Sequence, residues 1–364
     1  MAASLGFQGV AGNTARALVA CVALASSHAH AETAREEIER KGLDLHRKPV
    51  LTHQGFTIEG QIAIGLAQPA SGEDSGVQAI APNWVGLRGI ELLDSGWYAQ
   101  FALEASFDPA TGKGFSKGTG KSTAKSTGKG IGKLAWDRDS YVGLGHRAWG
   151  RIQLGLRAQP ALAVVALADP LDGGVGEAGD WLYRLTAMDA PKLRNRTADA
   201  VTWELPPLGS RLKAVLQVGI RNAADEDTQG LSVVCDCGLW RLGLAWQSWQ
   251  DGHSYALPVV ARRTLEGWTG WAALTLGQLN GVNYTTTSLG ATFRPIRGPR
   301  PTSTTVQLTR LDSDHSAVQW RWAFGRETPL SAATSWHITA VVQIQPGTTT
   351  RVGAELGLRH RFSL

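Results

Sequence analysis

Residues 211–221 read Arg-Leu-Lys-Ala-Val-Leu-Gln-Val-Gly-Ile-Arg. Leu212, Ala214, Leu216, Val218 and Ile220 fall on one side of an extended chain, and Arg211, Lys213, Gln217 and Arg221 on the other. Successive side chains of a strand point to opposite faces, so this period of two is a strand signature; a helix would scatter both sets around its axis. The same period recurs in both directions. Phe56, Ile58, Ile62, Ile64 and Leu66 oppose Thr57, Glu59 and Gln61. Trp97, Ala99, Phe101, Leu103 and Phe107 alternate with Tyr98, Gln100, Glu104 and Ser106. Toward the C-terminus, Trp240, Leu242, Leu244 and Trp246 alternate with Arg241 and Gln247, and Val318, Trp320, Trp322 and Phe324 with Gln319 and Arg321. Trp336, Ile338, Ala340, Val342 and Ile344 alternate with His337, Thr339 and Gln343. The last segment sets Val352, Ala354, Leu356, Leu358 and Phe362 against Arg351, Glu355, Arg359 and Arg361.

A soluble sandwich also alternates, and three features decide against it. The clearest segments approach the roughly nine to eleven residues that a tilted membrane-crossing strand requires. Trp and Phe gather near strand ends, as in an interfacial girdle, and the second face carries Arg and Glu, as in a wet interior. The reading is therefore all-β, a transmembrane antiparallel β-barrel. Its strands are expected near 56–66, 82–91, 97–107, 139–146, 151–158, 199–205, 211–221, 231–236, 239–249, 256–263, 268–278, 285–294, 303–311, 316–324, 336–345 and 350–362. That is about sixteen, an even number as in single-chain bacterial barrels, and a barrel of that size leaves an aqueous channel. Short connections at 94–96, 146–150 and 206–210 alternate with long ones.

Composition agrees. Charged residues are 18%, Gly numbers 43 and the mean hydropathy is −0.13, which fits alternation better than long apolar helices. The net charge is +5, but the lysines concentrate in one tract and the arginines are spread along strands, so no clustered nucleic-acid surface is expected. Gly118-Thr119-Gly120-Lys121-Ser122 superficially resembles a phosphate-cradling loop; the required leading Gly is replaced by Phe115, so the motif fails. Of the three cysteines, Cys21 lies in the N-terminal apolar stretch. Cys235 and Cys237 are read as too close for an ordinary disulfide loop and as incidental. No metal-ligand spacing, cofactor motif or nucleophile–base pair is evident.

Residues 1–31 read as an export signal: Arg16, the apolar run Ala17 to Ala25, and Ala29-His30-Ala31 before Glu32. The run is too short to cross a bilayer as a helix. Residues 32–55 form a charged leader, and the barrel is expected over 56–364. Two long loops interrupt it. Residues 108–136 hold a low-complexity Gly/Ser/Thr/Lys tract, which is flexible by composition. Residues 159–197 begin apolar, continue through Asp169, Asp172, Glu177 and Asp180, and close on Arg184, Lys192, Arg194 and Arg196. A loop of that length with segregated charge points to function.

Particular stretches carry a family resemblance. They are Trp84-Val85-Gly86-Leu87-Arg88-Gly89, Trp97 to Gly112, Asp137 to Gly155, Ala168-Asp169-Pro170, Arg194-Asn195-Arg196 to Trp203, and Leu356-Gly357-Leu358-Arg359-His360-Arg361-Phe362. Together they make the chain resemble the trimeric general diffusion porins of Gram-negative, beta-proteobacterial outer membranes, over about residues 56–364. The resemblance implies a homotrimer in outer-membrane lipid that passes small polar solutes and ions. It also implies that the 159–197 loop folds into the lumen and narrows it, and that Phe362 serves as the C-terminal assembly signal. The acidic loop side would be Asp169, Asp172, Glu177 and Asp180, and the facing basic wall Arg88, Arg138, Arg157, Arg194 and Arg196. Alternation supports Arg157 independently, because Ile152, Leu154 and Leu156 share the lipid side while Arg151, Gln153 and Arg157 share the inner one. The chain departs from the family in ending on Ser363-Leu364 rather than the aromatic residue, and in its Lys-rich tract. Two other classes make different demands. An outer-membrane barrel hydrolase needs a Ser–His pair on the outer wall, with His253, His315, His337 and His360 available; a secreted soluble β-protein or adhesin needs no detergent.

Overall fold

A computed structural model describes residues 55–70, 74–111, 113–114, 136–171, 175–177, 179–184, 195–207, 209, 211–220, 228–249, 254–295, 301–314 and 316–364. The signal, the charged leader and most of the Lys-rich tract lie outside these residues.

Sixteen long antiparallel strands make the wall: β1 (Gly55–Gln68), β2 (Trp84–Leu92), β3 (Trp97–Asp108), β4 (Ser140–His146), β5 (Gly150–Ala158), β6 (Arg196–Glu204), β7 (Leu212–Gly219) and β8 (Thr228–Cys237), followed by β9 (Trp240–Trp249), β10 (Ser254–Leu265), β11 (Trp268–Leu279), β12 (Val282–Phe293), β13 (Ser303–Ser313), β14 (Ser316–Pro329), β15 (Thr334–Ile344) and β16 (Arg351–Ser363). Two short segments, Gly76–Ala79 and Lys113–Gly114, pair along β1 and β3. Each strand pairs with its neighbour in sequence, and β1 pairs with β16 from Glu59↔Ser363 to Gln68↔Ala354, which closes the barrel and leaves no sheet edge.

Register makes the two faces explicit. Ile62, Leu66, Val142, Leu154, Leu289, Val306, Trp322 and Leu358 all point outward and are exposed, Leu66 at 61%. So much apolar surface is stable only against lipid. No helix among the described residues is long and apolar enough to cross a membrane. Aromatic residues gather at the end of the barrel that holds the C-terminus. Trp203 donates its indole N–H to the Trp149 carbonyl at 3.0 Å, and Trp268 packs on Phe293 at 4.6 Å. Phe362 lies over Gly60, its partner across the closing seam, where a Cβ would collide with the ring. Past the last strand residue, Leu364 still exchanges backbone hydrogen bonds with Ile58, so the Ser363-Leu364 extension prolongs the seam.

The opposite end carries the long connections, but only around the first half of the barrel. Later it is turned by pairs such as Asn280-Gly281, both at positive φ as a tight hairpin requires. One sequence reading is corrected. Cys235 and Cys237 form a disulfide with a Cα–Cα distance of 5.6 Å. Residues two apart in a strand share a face, so the spacing that argued against pairing is what brings the sulfurs together on the outer side of β8.

Candidate functional site

The loop between β5 and β6 is seated inside the barrel. Gln159-Pro160 starts helix α1 (Pro160–Val165), with Pro supplying a preset φ at the first helical position, and a 3-10 turn, Ala166–Ala168, extends it. Ala161, Val164, Val165, Leu167 and Ala168 then pack on Ala245, Ala256, Val260 and Ala273 of β9–β11. These wall residues are inward by register, and they are small or apolar where inward positions of the facing wall include Arg88, Glu104, Arg157 and Glu204. Gly243 marks a close approach: a Cβ there would stand 2.9 Å from Leu167 and 3.0 Å from Val164. Next in the loop, Tyr183 is fully buried, donates its hydroxyl to Gln159 and packs on Trp249 at 5.4 Å. Burial pushes the Tyr183 hydroxyl well above its ordinary pKa, with nearby Tyr284 adding to the shift.

Polar pins continue the seat. Gln307 of β13 donates to the Ala168 carbonyl at 3.1 Å, and Thr286 of β12 to that of Trp181 at 3.2 Å. Arg321 of β14 donates to the carbonyls of Val175 and Glu177, and its guanidinium lies 5.8 Å from the Trp181 ring. Glu355 of β16 accepts the Val175 N–H at 2.9 Å, with His337 Nε2 3.5 Å from its other oxygen. The described loop therefore lies along β8–β16, with Val175 also packed near Ala63 and Ala67 of β1, and leaves the Glu59 end of β1 and β2–β6 facing it across the lumen.

That facing wall is laced with charge. Arg88 bridges Glu59 at 2.7 Å and Glu104 at 2.5 Å, and Arg138 reaches the other Glu104 oxygen at 3.5 Å. Arg157 bonds Asp139 at 2.6 Å and Glu204 at 3.3 Å, and stacks on Tyr141 at 4.4 Å. Arg196 meets Asp139 at 3.4 Å, and Arg151 also pairs with Glu204. Arg138, in the loop before β4, is held below the usual arginine pKa by burial and by Arg196, and it stays charged.

The structure thus brings Arg88, Arg138, Arg157 and Arg196 onto one wall, as a lattice interleaved with carboxylates. Arg151, Glu59, Glu104, Asp139 and Glu204 were absent from the expected site, although their inward parity was readable. On the loop, Asp169 is buried and accepts the Gly179 N–H at 2.6 Å, which closes the loop on itself instead of presenting the carboxylate to the lumen. Glu177 sits at the pinned segment, and Asp180 begins a π-helical turn, Asp180–Arg184. Asp172 and Arg194 lie outside the described residues. For the hydrolase alternative, His360 is on the outer wall with Nδ1 2.9 Å from the Thr334 hydroxyl, while His337 points inward. His253 and His315 lie outside the described residues. Among the described residues no group of three or more His, Cys, Asp or Glu side chains is arranged to hold a metal.

Comparison with known proteins agrees with this architecture. Residues 17–357 match the family model described as Gram-negative porin. The anion-selective porin from Comamonas acidovorans superposes with a TM-score of 0.66 at 19% identity, over 85% of this chain and 100% of that one. OmpT, an outer membrane protein of Vibrio cholerae in trimer form, gives 0.61 at 9% identity over 85% and 99%. A mutant of the Rh. blastica porin gives 0.58 at 12% identity over 85% and 100%. No curated protein sequence matches the chain.

Proposed function

The chain belongs to the Gram-negative porin family, and we propose that its outer-membrane diffusion channel is narrowed between the seated loop and the β1–β6 lattice and prefers anions. Water-filled passage of small hydrophilic solutes follows from the family and the barrel; the position of the constriction and the sign of selectivity are this reading's own. The observation that carries it is the division of the inner wall, apolar under the loop and charged opposite it. Solute is confined to the charged side, where Arg88, Arg138, Arg151, Arg157 and Arg196 outnumber Glu59, Glu104, Asp139 and Glu204. Paired ions in a narrow passage order water and penalise apolar solutes. Glu177 supplies opposite charge from the loop, while Asp169 serves loop closure.

Homotrimerisation, cleavage of residues 1–31 and recognition of the Phe362 end are part of the same proposal. They are supported by the family, the N-terminal pattern and the seam at Gly60. The channel reading is favoured over the hydrolase because, among the described residues, the outer-wall candidate His360 is bonded to a threonine, not a serine. Reversal potentials of the refolded protein under a KCl gradient test the proposal. A chloride-side reversal that weakens in Arg157→Gln supports it, and cation selectivity would overturn the sign.

A further inference from the structure

One inner rung beyond the loop seat, toward the C-terminal end of the barrel, the wall changes character. The register pairs Gly243 with Val260 under the loop, and then Arg241 with Arg262. Same-face rungs are about 6.6 Å apart along a strand, so the two arginines stand at the exit of the narrowed segment. Like charges directly opposite each other on a sheet oppose folding. Arg241 is relieved by Asp236, which also lies 3.8 Å from Lys213. Arg262 has no carboxylate partner among the described residues; the charges acting on it are those of Arg241 and Arg294. Its other neighbour in register is Trp271, whose buried indole N–H lacks an acceptor among the described residues. Arg294 follows β12 and lines a recess with Glu327, Arg359 and Arg361. Glu327 there accepts from Ser335 at 2.7 Å.

A wall that sets Arg241 directly opposite Arg262, with Arg294 farther along the same inner face and both nearby carboxylates, Asp236 and Glu327, already engaged, is completed by an anion. We propose that Arg241, Arg262 and Arg294 form an anion station at the exit of the constriction, fitted to small dianions such as phosphate or a short dicarboxylate. Monovalent chloride passes it, and a dianion spans two guanidinium groups and lingers, because forked donors match planar or tetrahedral oxyanions. The station rests on the channel reading but not on the sign of selectivity at the constriction.

Refolded full-chain protein in planar bilayers, carrying chloride current at mildly alkaline pH, is titrated with inorganic phosphate. Wild type should show a saturable fall in current. Arg262→Gln should raise the half-blocking concentration about tenfold, equivalent to ~1.4 kcal/mol, and Arg262→Lys should raise it less. Each variant's own KCl conductance reports folding, and Arg294→Gln provides the same test should Arg262→Gln not insert. In Arg310→Gln, on the outer face at the other end of the barrel, the half-blocking concentration should stay within about twofold of wild type. Equal block in wild type and in both glutamine variants of the station, or no saturable block at all, would overturn it. Succinate in place of phosphate distinguishes a general dianion site from a phosphate-selective one; a block by neither overturns it as well. A cation-selective wild type would remove the preference proposed for the constriction and leave the phosphate titration to judge the station alone.

Discussion

The two halves of this barrel share an outer surface and differ in their inner one. On β1–β6 the inward positions carry Glu59, Arg88, Glu104, Tyr141, Arg157 and Glu204. On β9–β11 the inward positions under the loop carry Gly243, Ala245, Ala256, Val260 and Ala273, with Arg241 and Arg262 one rung beyond them. Outward, both halves present the same Leu, Val, Ile and Trp band to lipid. The outer pattern therefore encodes the barrel, and the inner pattern encodes where its loop lies. Apolar inward residues have no purpose in an aqueous lumen unless something covers them. Here α1 does so, and water is left with the charged half.

The contrast can be broken most severely at its apolar seat. Ala245→Asp buries a carboxylate against α1 and should cost roughly 3–5 kcal/mol of loop docking, with a larger and noisier single-channel conductance. An unchanged conductance from a folded variant would mean that the loop does not bound the passage. Arg321→Ala removes two charge-assisted hydrogen bonds to loop carbonyls and should cost roughly 2–4 kcal/mol. Increased proteolysis of the loop in the intact barrel is the readout, and wild-type resistance would dismiss this pin. Glu104→Gln sharpens the other half. It leaves Arg88 and Arg138 short of a counter-charge and should raise the anion-to-cation permeability ratio about twofold; a fall in that ratio would contradict the lattice as described. The smallest effect belongs to Cys235→Ser, on the outer face of the loop-bearing half. A bridge closing so short a loop contributes about 1–2 kcal/mol, so thermal unfolding should shift by a few degrees and conductance not at all.

The sequence disclosed these halves unequally. Each of the sixteen strands lies where the period of two puts it, since alternation is local and a single strand displays it. Glu104 and Glu204 were equally visible as inward residues, but which arginines they meet depends on register across strands. The loop's landing place depends on contacts farther still: Gln307 and Ala168 are 139 residues apart, and Glu355 and Val175 are 180. Nothing local marks such pairs. Yet Gly243, Ala245 and Val260 interrupt the charged inner pattern, and in a barrel that interruption is itself the signal of a covered wall. Asp169 shows the converse: its place in a charged loop suggests a pore charge, while its carboxylate accepts the Gly179 N–H of the same loop. Spacing alone argues against a bridge between Cys235 and Cys237, although a shared strand face places them side by side.

The central claim is a water-filled passage confined by the loop to the charged half of the lumen. Planar-bilayer recording of the refolded protein under a KCl gradient addresses it most directly. The account predicts ohmic steps in groups of three, conductance rising in proportion to salt, and a reversal potential displaced toward chloride. Absence of any conductance from folded, inserted protein would contradict it.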